Sequence, residues 1–234
     1  LIGNARDGGS GWAASPFRDH FASHCGMEVV LADGEVVRTG MGALPDATTW
    51  AQYRWGYGPW VDGLFRQGNL GIVTKMGFHL MPRPQVVQTA TVQVPGEQGV
   101  IAAMDALNLL EIQQVVNGAT QLSRSGQGWN LVLPVYWREK IVRAAMECIQ
   151  DQFAPIQGAR VTPGELFRTP LDAGTLERVR KVTFGVPDLS TFGSLGSNED
   201  SLVPAGGYMG FSPVIPRSGE AVLEFSRFHR EHMH

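Results

Sequence analysis

Residues able to do chemistry are sparse in this chain, and few are spaced to work together. His20 and His24 stand four apart, with Asp19 before the first and Cys25 after the second. On a helix that spacing would put two imidazoles on one face, where they could hold zinc. Gly26 and Met27 lead straight into an apolar run and no further ligand pair follows, so a hydrogen-bonded structural role is the better reading. His229, His232 and His234 could share a helix face in the same way, but solvated charge explains them equally well. Asp105 with Glu111, and Asp188 with Glu199 and Asp200, could pair for acid–base work; surface charge accounts for them more simply. No Gly-x-Ser-x-Gly elbow is present, which disfavours a serine hydrolase. No GxGxxG joins a strand to a helix, which disfavours a nicotinamide site. No residue is assigned as catalytic and no metal is expected.

The glycines carry more information. An extended cofactor needs backbone N–H and C=O groups close to it, and glycine permits that approach because no Cβ intervenes. Two clusters offer such a surface: Gly3, Asn4 and Ala5 with Gly8, Gly9, Ser10 and Gly11, and then Gly71, Ile72 and Val73, where a glycine enters a strand. Contacts from these residues are expected through backbone atoms at about 2.7–3.2 Å. On this reading, Gly9→Val or Gly71→Val lowers cofactor occupancy and leaves a folded protein, whereas Ile72→Val is nearly silent. A plain glycine-rich turn, and a core role for Ile72 and Val73, are the alternatives. The aromatic cluster of Trp50, Tyr53, Trp55, Tyr57 and Trp60 could form a stacking wall; packing or a subunit contact fits it better.

Those residues must be positioned by an alternation of strands and helices. Residues 1–26 have loop composition. Residues 27–31 and 35–38 read as strands about an Asp33-Gly34 hairpin turn, and residues 71–81 as another strand. Pro82-Arg83-Pro84 marks a boundary. Beyond it, residues 86–94 predict a strand, 97–110 a helix, 130–136 a strand and 138–153 a helix with Val142, Met146, Ile149 and Phe153 in line. Residues 155–206 read as mostly irregular, 208–215 as a strand, and Ser218 as the N-cap of a last helix. This order implies an α+β protein, with a sheet covered on one face by helices in a ferredoxin-like layer.

The 234 residues suffice for one large domain or two small ones, and 43% hydrophobic content affords a sizeable core. The net charge of −3 argues against a nucleic-acid partner. No run of about 18 apolar residues exists to span a membrane. Cys25 and Cys148 have neither metal nor disulfide-framework spacing, so a reducing, cytoplasmic location is the default and the periplasm the alternative.

Several segments carry a family resemblance. They are GNA at Gly3, Asn4 and Ala5; DH at Asp19 and His20; CGMEVVLADGEVVRTGMGALPD from Cys25; WGYGPWVDGLFRQGNLGIVTKMGFHLMPRP from Trp55; FSPV from Phe211; and SGE from Ser218. In this order they resemble the vanillyl-alcohol oxidase and p-cresol methylhydroxylase family of FAD-linked oxidases, closely over residues 1–84 and loosely over 85–234. The resemblance implies that residues 1–84 are the second subdomain of a PCMH-type FAD-binding domain and that residues 85–234 are a ferredoxin-like substrate cap, shortened at its C-terminal end. It implies FAD as cofactor and oxidation of a 4-substituted phenol by hydride transfer to flavin N5. Cytochrome c or oxygen would accept the electrons, and the full-length parent would be a homo-oligomer. In such proteins the pyrophosphate loop lies earlier in the chain, and the flavin-linking residue and substrate-activating Tyr-Arg pair lie later. The chain as given is therefore read as a fragment, expected to hold FAD weakly and to be inactive alone. A D-lactate-type 2-hydroxy-acid dehydrogenase is the alternative, for which Arg124, Arg138, Arg143, Arg160 or Arg168 would have to clamp a carboxylate; a catalytically silent remnant is another.

Overall fold

A computed structural model describes residues 2–12, 14–126, 128–179, 184 and 213–232. It comprises two compact units, Leu1–Arg83 and Pro84–His234.

The first unit is built on an antiparallel sheet of three strands. β1 (His24–Leu31) is central, β2 (Val36–Arg38) returns through the Asp33-Gly34 turn, and β3 (Gly71–Phe78) pairs on the other side. Gly34 has φ +88, a conformation that tightens the hairpin and that L side chains avoid. Alternation along β1 sends Met27 and Val29 to one face, where they pack with Phe21 and Phe65. Glu28 points the other way and is only 8% exposed. It is compensated across both neighbouring strands: Arg38 donates from Nε at 3.0 Å and Nη2 at 2.9 Å, Lys75 Nζ donates at 3.2 Å, and Thr74 Oγ1 donates at 3.1 Å.

These partners, Lys75 first and then Arg38, hold the Glu28 carboxyl at about 2, below its ordinary 4.5. A carboxyl depressed by folding stabilises the native state above its unfolded value, and that stability is lost as pH falls through the folded value. Unfolding free energy of this unit should therefore decline between about pH 4.5 and pH 2. Glu28→Gln should be less stable at pH 7 and should flatten that acid slope. Urea titrations at pH 7, 4 and 2.5 measure both; an unchanged slope in the variant would remove Glu28 from the acid response.

The second unit runs β4 (Val86–Pro95), α2 (Gly96–Ile112), β5 (Gln121–Ser125), β6 (Gly128–Trp137), α3 (Glu139–Phe153), β7 (Arg160–Arg168), α4 (Ala173–Arg178) and α5 (Gly219–His232). The sheet order β5-β6-β4-β7 with antiparallel neighbours is the split β-α-β-β-α-β arrangement of ferredoxin-like layers. Helices α2 and α3 bury Val100, Leu107, Leu110, Val142, Ile149 and Phe153 against Val92, Leu131 and Leu133 of the sheet. The α+β expectation and its ferredoxin-like second half are met.

Several local expectations need correction. Residues 1–26 are not all loop: α1 (Ile2–Arg6) is a single helical turn, held by tertiary bonds from Arg6 that no local pattern announces. The irregular stretch expected over 155–206 contains β7, whose Pro163 and Gly164 disguise it. β7 is an edge strand with a register shift opposite Gln88 and Ala90, where proline and glycine are tolerated. Pro134 lies in β6 beyond Val132, where pairing with β5 has ended, so its missing N–H costs no ladder bond. β5 itself, rich in polar residues, gave no strand signal. Of the strand expected over 208–215, residues 213–215 have no regular structure and the rest lie outside the described residues, as do Asp188, Glu199, Asp200 and His234.

Ser218 does precede the last helix, with its Oγ accepting from Ala221 N at 3.2 Å. That helix docks on α2 closely enough that a Cβ on Gly219 would fall 2.3 Å from Ile101 Cα. Asn108 Nδ2 donates to Arg217 O at 2.8 Å, and Arg217 also pairs with Glu111.

Candidate functional site

The candidate cofactor residues of the first unit are organised around residues 65–68. Arg6, at the end of α1, donates from Nε to Phe65 O at 3.0 Å and from Nη2 to Gly68 O at 3.2 Å. Gln67 returns two bonds, from its N–H to Arg6 O at 2.9 Å and from Nε2 to Asp7 O at 2.8 Å. The glycine turn that follows α1 has Gly8 at φ +73, and a Cβ there would lie 2.3 Å from the Arg66 guanidinium. On the other side, a Cβ on Gly71 would meet Phe65 at 3.4 Å. The two glycine segments thus border one short stretch of chain from which β3 departs.

The structure also qualifies individual candidates. The carbonyls of Gly3, Asn4 and Ala5 accept from Asp7, Gly9 and Gly8 at 3.0, 2.8 and 3.1 Å. The side chain of Ala5 is fully buried, so any ligand contact from it must use backbone. Asn4 Oδ1 lies 2.5 Å from His20 Nδ1, and this pair fills the space beside Gly9 and Gly11. Ser10 is exposed and bridges to Asp19. Gly71 sits in core packing: a Cβ would lie 2.5 Å from Val29 Cγ1 and 3.0 Å from Val30 O. Gly71→Val is therefore expected to cost stability as well as occupancy, because the added side chain meets a buried valine and backbone. Gly3 is open, with nothing within 4 Å of a built Cβ. Ile72 is 70% exposed, so it does not fill the core, whereas Val73 packs against it.

Sequence reasoning missed the most buried polar pair of this unit. His24 Nε2 lies 2.6 Å from Asp62 Oδ2, with both side chains enclosed. His24 Nδ1 faces the Phe21 carbonyl, which can only accept, so Nδ1 carries a hydrogen. Nε2 and the carboxyl are then joined by a single buried hydrogen bond. The histidine had a signal in the sequence; Asp62, 38 residues away, had none. Around the pair, the His24 ring stacks 5.7 Å from Trp60, and Arg54 lies over Trp60 and Trp55 at 4.7 and 5.0 Å. Trp50 is packed into the space beside Gly26 and Gly42. Tyr57, by contrast, is 83% exposed. Cys25 is a buried free thiol whose ionisation is pushed up by burial and by the charge of Asp62, which makes it a poor nucleophile. Among the described residues no group of three or more His, Cys, Asp or Glu side chains lies close enough to hold a metal.

A three-stranded unit bearing glycine segments, joined in sequence to a ferredoxin-like unit, defines an α+β protein of two compact units. No protein-family model matches the chain. It is 32% identical over 255 aligned positions to the 4-cresol dehydrogenase [hydroxylating] flavoprotein subunit of Pseudomonas putida, an alignment covering 93% of this chain and 46% of that one. Over 122 positions it is 39% identical to the 1'-carboxy-chondrochloren decarboxylase of Chondromyces crocatus, covering 52% of this chain and 22% of that one. Among solved structures, p-cresol methylhydroxylase with substrate bound superposes with a TM-score of 0.78 at 29% identity, over 98% of this chain and 49% of that one. The 4-ethylphenol oxidase of Gulosibacter chungangensis, in its isoeugenol complex, gives 0.78 at 27% identity, over 98% and 50%. The chain belongs to the p-cresol methylhydroxylase and vanillyl-alcohol oxidase family of flavoproteins. It spans about half the length of these relatives.

Proposed function

We propose that this chain is the central portion of an FAD-dependent oxidoreductase whose full-length form oxidises a 4-substituted phenol, either a 4-alkylphenol or a vanillyl-type alcohol. The observation that carries the reading is the likeness, across 98% of the chain, to two solved enzymes named for p-cresol and 4-ethylphenol. Residues 1–84 would contribute to holding the cofactor and residues 85–234 would cap the substrate. FAD, when bound, supplies the hydride acceptor at its N5, and the protein supplies position and electrostatics.

The residues present fit such a group. Ser10 is exposed in the turn that holds Gly8, Gly9 and Gly11, Gly3 has open space beside it, and Ile72 offers an exposed apolar side chain on a strand of the same unit. Asn4 and His20 would present a hydrogen-bonded polar pair at the same segment, and Val73 would anchor the strand to the core. Electrons would pass on to a cytochrome c or to oxygen, and the full-length protein would assemble with copies of itself. Two candidate carboxylate clamps of the hydroxy-acid alternative, Arg143 and Arg168, are already paired with Glu139, at 2.5 and 2.8 Å.

The test uses the full-length protein. Its cofactor should be released on denaturation as FAD, or stay attached to the polypeptide with an FAD spectrum. A panel of 4-alkylphenols should reduce it where D-lactate does not. Reduction by D-lactate and by no phenol would overturn the assignment.

Gly3→Val is the cleaner probe of the cofactor surface. Its Cβ has free space in the protein, so the variant should fold normally while cofactor occupancy falls. Gly71→Val should instead lose about 1–3 kcal/mol of stability through overpacking, whether or not cofactor is present. Full occupancy in folded Gly3→Val protein would remove the N-terminal segment from the cofactor surface.

A further inference from the structure

The second unit contains a small cavity of about 70 Å³ between α5, the β5–β6 hairpin and the start of α2. It is far below the roughly 300–1,000 Å³ of pockets that enclose aromatic or cofactor-sized ligands. It is large enough for a few atoms, since a single water needs only about 10–15 Å³ on a comparable measure. Its chemistry is one-sided. Arg124 from β5 and Arg230 from α5 both line it, with the Ser226 hydroxyl and the largely buried Trp129 side chain. Neither arginine pairs with a carboxylate among the described residues; Arg230 has only a 3.4 Å contact from Nη1 to Ser226 Oγ. The one acid lining the cavity, Glu97, is already engaged by Arg227 at 2.6 Å.

Arg124 and Arg230 are both solvent-exposed, and together they line one small space that an oxyanion could bridge. Guanidinium is a five-donor planar cation matched to the edges of oxyanions. Leu223, Ser226, Arg227 and Arg230 recur at three- and four-residue spacing, so one face of α5 supplies the hydroxyl, one cation, and the cation that neutralises Glu97. We propose that this cavity is a binding site for a small, doubly charged oxyanion of the phosphate or sulfate type, free in solution. The two positive charges match its charge. The site lies wholly within the second unit and does not depend on the assignment of the oxidase activity.

The experiment is isothermal titration of the 234-residue protein with inorganic phosphate, sulfate and acetate at low ionic strength, with circular dichroism confirming the fold of each variant. Phosphate and sulfate should bind saturably with one site per chain, and acetate at least 10-fold more weakly. Arg124→Gln and Arg230→Gln should each weaken phosphate about 10-fold or more, the scale of a lost charge-assisted bond. Arg227→Gln, whose side chain does not line the cavity, should also weaken it, because Glu97 then presents an uncompensated negative charge. No saturable binding, acetate binding as tight as phosphate, or undiminished binding in both Arg124→Gln and Arg230→Gln would each overturn the proposal.

Discussion

Asp62→Ala should be the most damaging single change in the first unit, lowering its stability by about 3–5 kcal/mol. The reason lies in the hydrogen bonds of the buried pair. His24 must keep its Nδ1 hydrogen for the Phe21 carbonyl, so Nε2 is left to find a partner in a space without solvent. Alanine offers none, and the imidazole must then be buried unpaired or pull the Trp60 and Phe21 rings apart to reach water. Asp62→Asn tests this account against a simple loss of volume. Its amide can donate to a neutral Nε2, and its carbonyl can replace Oδ1, which in the protein has no partner among the described residues. That variant should lose about 1 kcal/mol or less, within the net value of one neutral hydrogen bond. Urea unfolding of both variants decides the matter: equal, large losses would show that the carboxylate charge, and not the hydrogen bond, is what His24 requires.

Phe153→Ala should cost the second unit about 3–5 kcal/mol, the range for removing a buried phenylalanine. Phe153 is fully buried at the C-terminal end of α3, in line with Val142, Met146 and Ile149 against the sheet. The sheet is held by paired strands on both sides of β4, so it has little freedom to collapse into the space left behind. Phe153→Leu, which leaves a smaller void, should lose appreciably less. Amide hydrogen exchange adds a location to the loss. Protection should fall in β4 and β6 for Phe153→Ala, and in β1 and β3 for Asp62→Ala. Exchange that rises uniformly over both units in either variant would mean that they do not unfold separately.

How far the sequence reached can be traced through these same residues. The face of α3 that holds Phe153 was readable because its apolar residues recur at helical spacing, and β1, β4 and β6 because their β-branched residues are dense. β7 was missed because edge strands tolerate proline and glycine, and those residues otherwise signal a break. α1 was missed because five residues make no period; it exists through Arg6 bonding to a carbonyl 59 residues away. At the candidate site, the glycine clusters were visible as types, but their surroundings were not. Gly71 and Gly3 look alike in the sequence, yet one abuts a buried valine and the other open space. Asp62 was invisible for the same reason as Arg6: its role is set by a partner distant in the chain. Family likeness supplied what local pattern could not, namely the cofactor class.

The most direct test of the flavoprotein reading is anaerobic mixing of the full-length protein with 4-ethylphenol, followed at the visible absorbance bands of oxidised flavin. Hydride transfer from the benzylic carbon to N5 should bleach those bands in a single turnover. The bleaching should slow several-fold when the benzylic hydrogens are replaced by deuterium, because that C–H bond breaks in the step observed. A protein that carries no flavin, or whose flavin keeps its oxidised spectrum through a panel of 4-alkylphenols and vanillyl alcohols, would contradict it.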